Sequence, residues 1–234
     1  MRIAGKGIID RARTAGFRFD GKDYTGFEGD TLASALLAGG VKLFGRSFKY
    51  HRPRGVMTAG SEEPNALVTV GQGAAQVPNV RATVQEIFTG LEARSQNRWP
   101  SLSFDVMEVN DLVAPFFSAG FYYKTFMWPR SFWEKLYEPA IRRAAGLGAL
   151  SAKHNEDVYE KAFAWCDLLV IGSGPAGLMA ALTAGRAGAQ VILAEEDSRM
   201  GGRTLAEVED IGGQPAHLWA ESVLAELESL PNVR

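Results

Sequence analysis

Short stretches of alternating or continuous apolar residues divide the chain into predicted strands and helices. Residues 17–25 alternate apolar and polar side chains about an Asp-Gly pair at 20–21, which is typical of a tight hairpin turn. A helix is expected next, capped by Asp30 or Thr31 and ended by a pair of glycines. Residues 66–70 predict another short strand. This order of elements predicts a small mixed α/β domain.

The apolar pattern takes a different form in the last third of the chain. Residues 167–171 are predominantly apolar, as is typical of a buried parallel strand, and residues 190–194 repeat the pattern. A helix is predicted between them, ending near Gly188, and another over about residues 215–230. The alternation of strands and helices predicts a parallel α/β unit. The fold class is therefore α/β overall, with an α+β domain followed by an α/β unit.

Glycines follow the first of these strands in the spacing G-x-G-x-x-G. Gly172 allows the tight turn out of the strand, and Gly174 lets a pyrophosphate approach the backbone. Gly177 allows the helix to pack close to the strand. Pro175 suits the first turn of a helix, where its missing N–H costs little. The arrangement predicts a Rossmann-type dinucleotide site. A glycine-rich turn in another α/β fold is the alternative.

An acidic residue at the end of the second strand supports dinucleotide binding. Glu195 follows Gly172 by 23 residues, close to the interval of about 20 expected of an acid that binds a ribose hydroxyl. A carboxylate repels a 2′-phosphate, so NAD or FAD is favoured over NADP. The later Gly201-Gly202-Arg203 resembles the flavoprotein version of the motif, so FAD stays open. The candidate cofactor-binding residues are Gly172, Ser173, Gly174, Pro175, Ala176, Gly177, Glu195, Glu196, Gly202 and Arg203.

Composition and charge exclude several other classes of protein. The net charge is −2, which does not favour a nucleic-acid or membrane partner. The chain has no long apolar run that would predict a transmembrane helix, and its start does not resemble a signal peptide. The single cysteine, Cys166, cannot form an internal disulfide, so a cytoplasmic location is expected. We assign no catalytic residue and no metal ligand.

The first domain resembles the β-grasp fold of plant-type [2Fe–2S] ferredoxins. Such ferredoxins hold their cluster with four cysteine thiolates, but residues 41–65 contain no cysteine, so we expect the fold without the cluster. The same loop is basic and is either an anion-binding surface, a contact for a partner's acidic face, or a solvated loop. Its basic residues are Lys42, Arg46, Lys49, His51, Arg52 and Arg54.

An aromatic-rich connector separates the two domains. Residues 102–109, at the end of the first domain, look strand-like, and residues 116–137 of the connector are rich in Phe, Tyr and Trp, interrupted by charges. So many aromatic side chains are expected to be buried against another surface. In the chain alone they would form an exposed apolar surface that is prone to non-specific association. We divide the chain into a cluster-free, ferredoxin-like β-grasp domain over residues 1–110, an aromatic-rich helical connector over 111–160, and the incomplete first part of a Rossmann NAD-binding domain over 161–234.

Four long and unusual stretches resemble the α subunit of heterotetrameric sarcosine oxidase. They are RSFKYHRPRG at residues 46–55, GSEEPNAL at 60–67, SQNRWPSL at 95–102 and GFYYKTFMWP at 120–129. They are far more specific than the glycine fingerprint. The resemblance covers nearly the whole chain and implies that it is the N-terminal portion of a much longer subunit, truncated within the NAD-binding domain.

That resemblance implies an αβγδ enzyme that oxidatively demethylates sarcosine. The expected products are glycine, hydrogen peroxide and formaldehyde or 5,10-methylenetetrahydrofolate. The α subunit is expected to bind NAD, the β subunit FAD and a covalently attached FMN, and a C-terminal domain outside this chain tetrahydrofolate. The alternative is a structural subunit of a related amine, opine or proline oxidase or dehydrogenase, but many of those carry cluster cysteines. The chain alone is expected to be inactive.

Overall fold

The predicted hairpin forms from β1 (Asp10–Phe19) and β2 (Lys22–Glu28), which pair antiparallel. Both turn residues have positive φ, 48° at Asp20 and 77° at Gly21, as a two-residue turn that follows the strand twist requires. Alternate side chains of β1 are buried, ending in Phe17 and Phe19. The hairpin therefore presents one apolar face to the core.

The computed structural model describes residues 2–3, 9–116, 120 and 126–234, and these fall into two units, Met1–Glu156 and Asp157–Arg234. In the first unit, three further strands join this hairpin: β5 (Leu67–Val70), β6 (Val77–Arg81) and β7 (Glu92–Ser95). The five strands form a mixed sheet in the order β2-β1-β7-β5-β6. Only β1 and β7 pair in parallel.

Helix α1 (Leu32–Ala38) packs on this sheet through its buried apolar side chains. Both candidate capping residues take part at its start. The Thr31 hydroxyl accepts a hydrogen bond from the Ser34 N–H at 3.2 Å, and the buried Asp30 carboxylate accepts one from the Ser34 hydroxyl at 2.7 Å. The expected mixed α/β domain with one helix against a sheet is therefore present.

The loop after α1 contains a two-stranded hairpin, β3 (Gly45–Arg46) and β4 (Pro53–Arg54). The strand-like interpretation of residues 102–109 was wrong, because a 3₁₀ helix covers Val106–Asp111. Asp105 caps that helix, since its carboxylate accepts a hydrogen bond from the Met107 N–H at 3.1 Å. A local capping interaction therefore outweighs the apolar alternation.

The described part of the connector contains a π-helical turn, Trp133–Tyr137, followed by α2 (Glu138–Ala144). Several of its large side chains are exposed, with Trp128 at 82% and Leu136 at 53%. Phe117, Phe121, Tyr122 and Tyr123 of the aromatic tract lie outside the described residues. This exposure agrees with the expectation that the connector presents an association-prone apolar surface in the chain alone.

In the second unit, β8 (Leu168–Ile171) and β9 (Val191–Ala194) pair in parallel, connected by α3 (Pro175–Arg186). A short hairpin, β10 (Asp210–Ile211) with β11 (Gln214–Pro215), precedes α4 (Ala216–Ser229). The chain then returns beside β9 in parallel, where Val233 pairs with Val191. The core lies between the helices and one face of these strands. Within the described residues, we find no helix of the length and apolar character needed to cross a membrane.

Candidate functional site

The turn from β8 into α3 is shaped by two glycines. Gly172 has φ 95°, a conformation that favours glycine, and its N–H donates to the Ala194 carbonyl at 2.8 Å. A Cβ at Gly177 would overlap the carbonyl oxygen of Gly172, so the helix can approach the turn only because Gly177 has no side chain. These contacts match the roles that the sequence predicts for both residues.

Open space lies in front of the first turn of α3. Gly174 precedes the helix with φ −64° and ψ 176°, and a Cβ built there would meet no atom within 4 Å. Gly174 offers no capping side chain, and Pro175 occupies the first helical position. The first N–H groups of an α-helix have no partner within the helix, and the helix dipole makes this end positive. The space in front of Gly174 therefore suits a phosphate-sized anion.

Glu195 lies beside the same turn. One carboxylate oxygen accepts the Ser173 N–H at 2.6 Å and a short hydrogen bond from the Ser173 hydroxyl. The other accepts the N–H groups of Glu196 at 2.8 Å and Asp197 at 3.1 Å. Burial by itself would raise the pKa of Glu195, but these hydrogen bonds outweigh it and the pKa is lowered. Glu195 is therefore ionised at neutral pH.

Ser173 connects this carboxylate to the Gly201-Gly202 pair. Its buried hydroxyl donates to Glu195 and accepts from the Gly201 N–H at 3.0 Å. A Cβ at Gly202 would lie 3.1 Å from the Gly174 Cα, so the pair packs directly on the turn. Thr204, which the sequence analysis missed, is fully buried and donates to the Gly201 carbonyl at 2.7 Å. No motif marks a single threonine of this kind.

Two of the predicted residues direct their side chains elsewhere. The Arg203 guanidinium pairs with Glu207 at 2.7 Å. Glu196 is exposed and contributes its backbone N–H, whereas its carboxylate has no hydrogen bond within the described residues. The structure therefore brings together Gly172, Ser173, Gly174, Gly177, Glu195 and Gly202, with Pro175 and Ala176 in the first turn of α3.

In the first unit, a buried carboxylate organises part of the long loop that follows α1. Glu63 is 1% exposed and accepts four backbone N–H groups: those of Met57 at 2.7 Å, Thr58 at 2.7 Å, Asn65 at 2.8 Å and Ala66 at 3.2 Å. Burial raises the pKa of Glu63, but these hydrogen bonds outweigh it and leave the pKa lowered. Sequence analysis missed this role.

A second set of buried polar contacts involves the basic loop. Arg46 donates from Nε to the Leu102 carbonyl at 3.0 Å and from Nη1 to the His51 carbonyl at 3.0 Å, and it pairs with Glu108 at 3.0 Å. The His51 ring lies 2.6 Å from the buried Asp105 carboxylate. Part of the basic loop is therefore packed structure rather than a solvated surface.

Family models match each unit separately. Residues 12–98 match a 2Fe-2S iron-sulfur cluster binding domain, and residues 167–226 match an FAD dependent oxidoreductase. The first match contains no cysteine, because the one cysteine of the chain is Cys166. The residues present therefore do not fit a cluster that needs four thiolates.

Together the two matches describe a chain with a ferredoxin-like region followed by a mixed α/β region similar to FAD dependent oxidoreductases. Along its whole length the chain is related to sarcosine oxidase subunit alpha, the family that the sequence motifs indicated. It is 61% identical over 233 residues to that subunit from Rhizobium meliloti (strain 1021), with 100% of this chain and 24% of the relative covered. The subunit from Corynebacterium sp. (strain P-1) is 34% identical, with 94% and 18% covered. The chain thus spans about a quarter or less of these relatives' length.

A solved structure has a similar fold. L-proline dehydrogenase from P. horikoshii aligns with a TM-score of 0.53 and 20% identity, covering 96% of this chain and 33% of that one. At this identity the likeness concerns the fold alone. It agrees with a ferredoxin-like unit followed by a mixed α/β unit in one chain.

Iron binding provides a test of the first unit. After reconstitution with iron and sulfide under reducing conditions, we expect no stoichiometric cluster on this chain, because the matched domain lacks every thiolate ligand. Iron and sulfide analysis with the visible spectrum checks this. Two iron and two sulfide per chain, unchanged in Cys166→Ser, would contradict it.

Proposed function

We propose that the second unit binds an adenine dinucleotide, with NAD as the preferred ligand, in a Rossmann-type site in front of α3. The observation that carries the proposal is the open space at Gly174, which faces an uncapped helix N-terminus beside the ionised Glu195. The pyrophosphate would accept hydrogen bonds from the first N–H groups of α3. The parallel return of the chain beside β9 supports the same fold type, because it extends the sheet in the order that Rossmann domains use.

Glu195 would receive the adenosine ribose. Its carboxylate already accepts four hydrogen bonds, three from backbone N–H groups and one from the Ser173 hydroxyl. The backbone donors are fixed, whereas the Ser173 hydroxyl can rotate. A ribose hydroxyl would therefore replace the Ser173 hydroxyl, and Ser173 would keep its contact with the Gly201 N–H.

Discrimination among nucleotides tests this arrangement. We expect NAD to bind at least about tenfold more tightly than NADP, because a 2′-phosphate would face the Glu195 carboxylate. Glu195→Gln should weaken NAD binding about tenfold, since charged hydrogen bonds contribute about 1.5–3 kcal/mol. The same change should reduce the ratio of NAD affinity to NADP affinity. Isothermal titration with NAD, NADP and FAD measures this, with Glu221→Gln on the exposed face of α4 as the control. Equal affinity for NAD and NADP would contradict the proposal, and preferential binding of FAD would assign the site to a flavin instead.

We further propose that the complete protein is the α subunit of a heterotetrameric sarcosine oxidase. In that enzyme, sarcosine would be demethylated to glycine, with hydrogen peroxide and formaldehyde or 5,10-methylenetetrahydrofolate as the other products. The β, γ and δ subunits would be its partners, with FAD and covalent FMN on β and tetrahydrofolate on a further domain of α. The 61% identity to the Rhizobium subunit supports this proposal. The single cysteine favours a cytoplasmic location.

The role of this chain in such an enzyme would be to bind the nucleotide and to contact other subunits. The exposed Trp128 and Leu136 of the connector suit a surface that a partner covers. The test is sarcosine-dependent release of hydrogen peroxide by the complete protein copurified with its partner subunits. Oxidation of proline or an opine in place of sarcosine would instead support the related-oxidase alternative.

A further inference from the structure

A cavity of about 420 Å³ lies in the first unit, between the basic loop and residues 145–147. Its volume falls within the range of about 300–1,000 Å³ that is usual for small-molecule sites. It belongs to a different unit from the proposed dinucleotide site. The lining residues that matter for its chemistry are Phe48, Lys49, Tyr50, Arg54, Asn97 and Leu147.

The walls of this cavity are held by specific contacts. Asn97, with φ 50°, donates from its side-chain amide to the Arg46 carbonyl at 3.0 Å. A Cβ at Gly146 would overlap the Asn97 side chain, so the segment closes over the cavity only because Gly146 lacks one. Further along the same segment, the Gly148 N–H donates to the Asn79 side chain at 2.9 Å. The cavity is therefore a built feature of the fold.

The cavity is positively charged. Arg46, Lys49 and Arg54 line it, and none of its lining residues is acidic. Arg46 already donates to backbone carbonyls and pairs with Glu108 from outside the cavity. The exposed Arg54 side chain, by contrast, has no hydrogen bond or ion pair with any described residue. Arg54 thus keeps its donors for a ligand.

The remaining lining is aromatic and apolar. Phe48 is 65% exposed although it lines the cavity, and Leu147 is 59% exposed. The Tyr50 ring is already contacted by two cations, the Lys49 ammonium at 5.0 Å and the Arg52 guanidinium at 4.8 Å from its centre, so the exposed Phe48 ring is the aromatic face that a ligand can reach. An aromatic and apolar wall favours a ligand with a planar or apolar ring. The nearby cations favour an anionic group on that ligand.

We propose that this cavity binds a small aromatic anion, a planar ring carrying a phosphate, with Arg54 on the phosphate, Lys49 adding positive charge beside it, and Phe48 on the ring. A concave cavity of this size suits a small molecule better than the acidic face of a partner protein. The proposal is independent of the dinucleotide site.

The experiment measures binding of 1-naphthyl phosphate to the full chain by fluorescence polarisation. Inorganic phosphate, which lacks the ring, and 1-naphthol, which lacks the charge, are the matched probes. Arg54→Gln is compared with Arg81→Gln, the same change at an exposed arginine outside the cavity that has no ion pair with any described residue. A parallel titration contains saturating NAD.

We expect saturable binding of 1-naphthyl phosphate, weakened about tenfold by Arg54→Gln and unchanged by Arg81→Gln or by NAD. Both partial probes should bind at least tenfold more weakly, because each lacks one half of the contacts. The proposal is overturned if binding is not saturable, if 1-naphthol binds as tightly, if both arginine variants behave alike, or if NAD displaces the probe. None of these outcomes would contradict the proposed dinucleotide site, because NAD binding is measured separately by titration with NAD.

Discussion

Replacing Gly174 with valine should remove most of the NAD affinity while the second unit stays folded. The backbone of Gly174 has φ −64° and ψ 176°, which any residue adopts, and a Cβ there meets no atom within 4 Å. A side chain at this position would therefore begin in open space and extend into the region that the pyrophosphate needs. We expect NAD affinity to fall by a factor of about 100 or more, since both phosphates lose their contacts with the helix N-terminus.

Two other glycines serve as controls for this prediction. Gly16→Val places the same side chain in open space in the first unit and should leave NAD affinity unchanged. Gly177→Ala should instead destabilise the second unit, because its Cβ would overlap the Gly172 carbonyl oxygen. Titration calorimetry and thermal unfolding separate the two effects. Undiminished NAD binding by Gly174→Val would show that the pyrophosphate does not lie at this turn.

Replacing Glu63 with alanine should destabilise the first unit by about 3 kcal/mol or more. The change leaves four backbone N–H groups without the carboxylate that accepts them, and hydrogen bonds to a charged group contribute about 1.5–3 kcal/mol each. Water can reach some of these donors, so we do not expect the full sum. Urea denaturation measures the change, with Glu86→Ala as control because the Glu86 carboxylate bonds to no described residue. A loss below about 1 kcal/mol would contradict this role.

Glu63 should also make the free energy of unfolding of the first unit depend on pH in the acid range. The folded-state pKa of Glu63 lies below its ordinary value of 4.5, so its contribution is complete above that pH and is lost as the pH falls through the folded-state pKa. The free energy of unfolding of Glu63→Gln should therefore fall less steeply below about pH 4.5 than that of the wild type. Parallel acid-denaturation curves for the two proteins would refute this assignment.

Local sequence was sufficient for the elements that depend on neighbouring residues. The Asp-Gly turn at 20–21, the strand and helix about Gly172–Gly177 and the helix start at Thr31 all follow from contacts within a few positions. Residues 102–109 were misread, because the Asp105 cap competes with an apolar alternation that is too short to decide between strand and helix.

The sequence by itself determined the relationship to sarcosine oxidase subunit alpha, the absence of cysteine from the ferredoxin-like region and the glycine pattern of the candidate nucleotide site, because each is a property of residue identity and spacing. Only the tertiary structure decided that the Glu63 carboxylate accepts backbone N–H groups from both sides of its loop and that Arg46 donates a hydrogen bond to the Leu102 carbonyl. It also decided that Asn97 and Gly146 line a cationic cavity. Arg46 and Leu102 are 56 positions apart, and Asn97 and Gly146 are almost as distant. No local spacing encodes such contacts, since they form only where the packed sheet brings separate segments of the chain together.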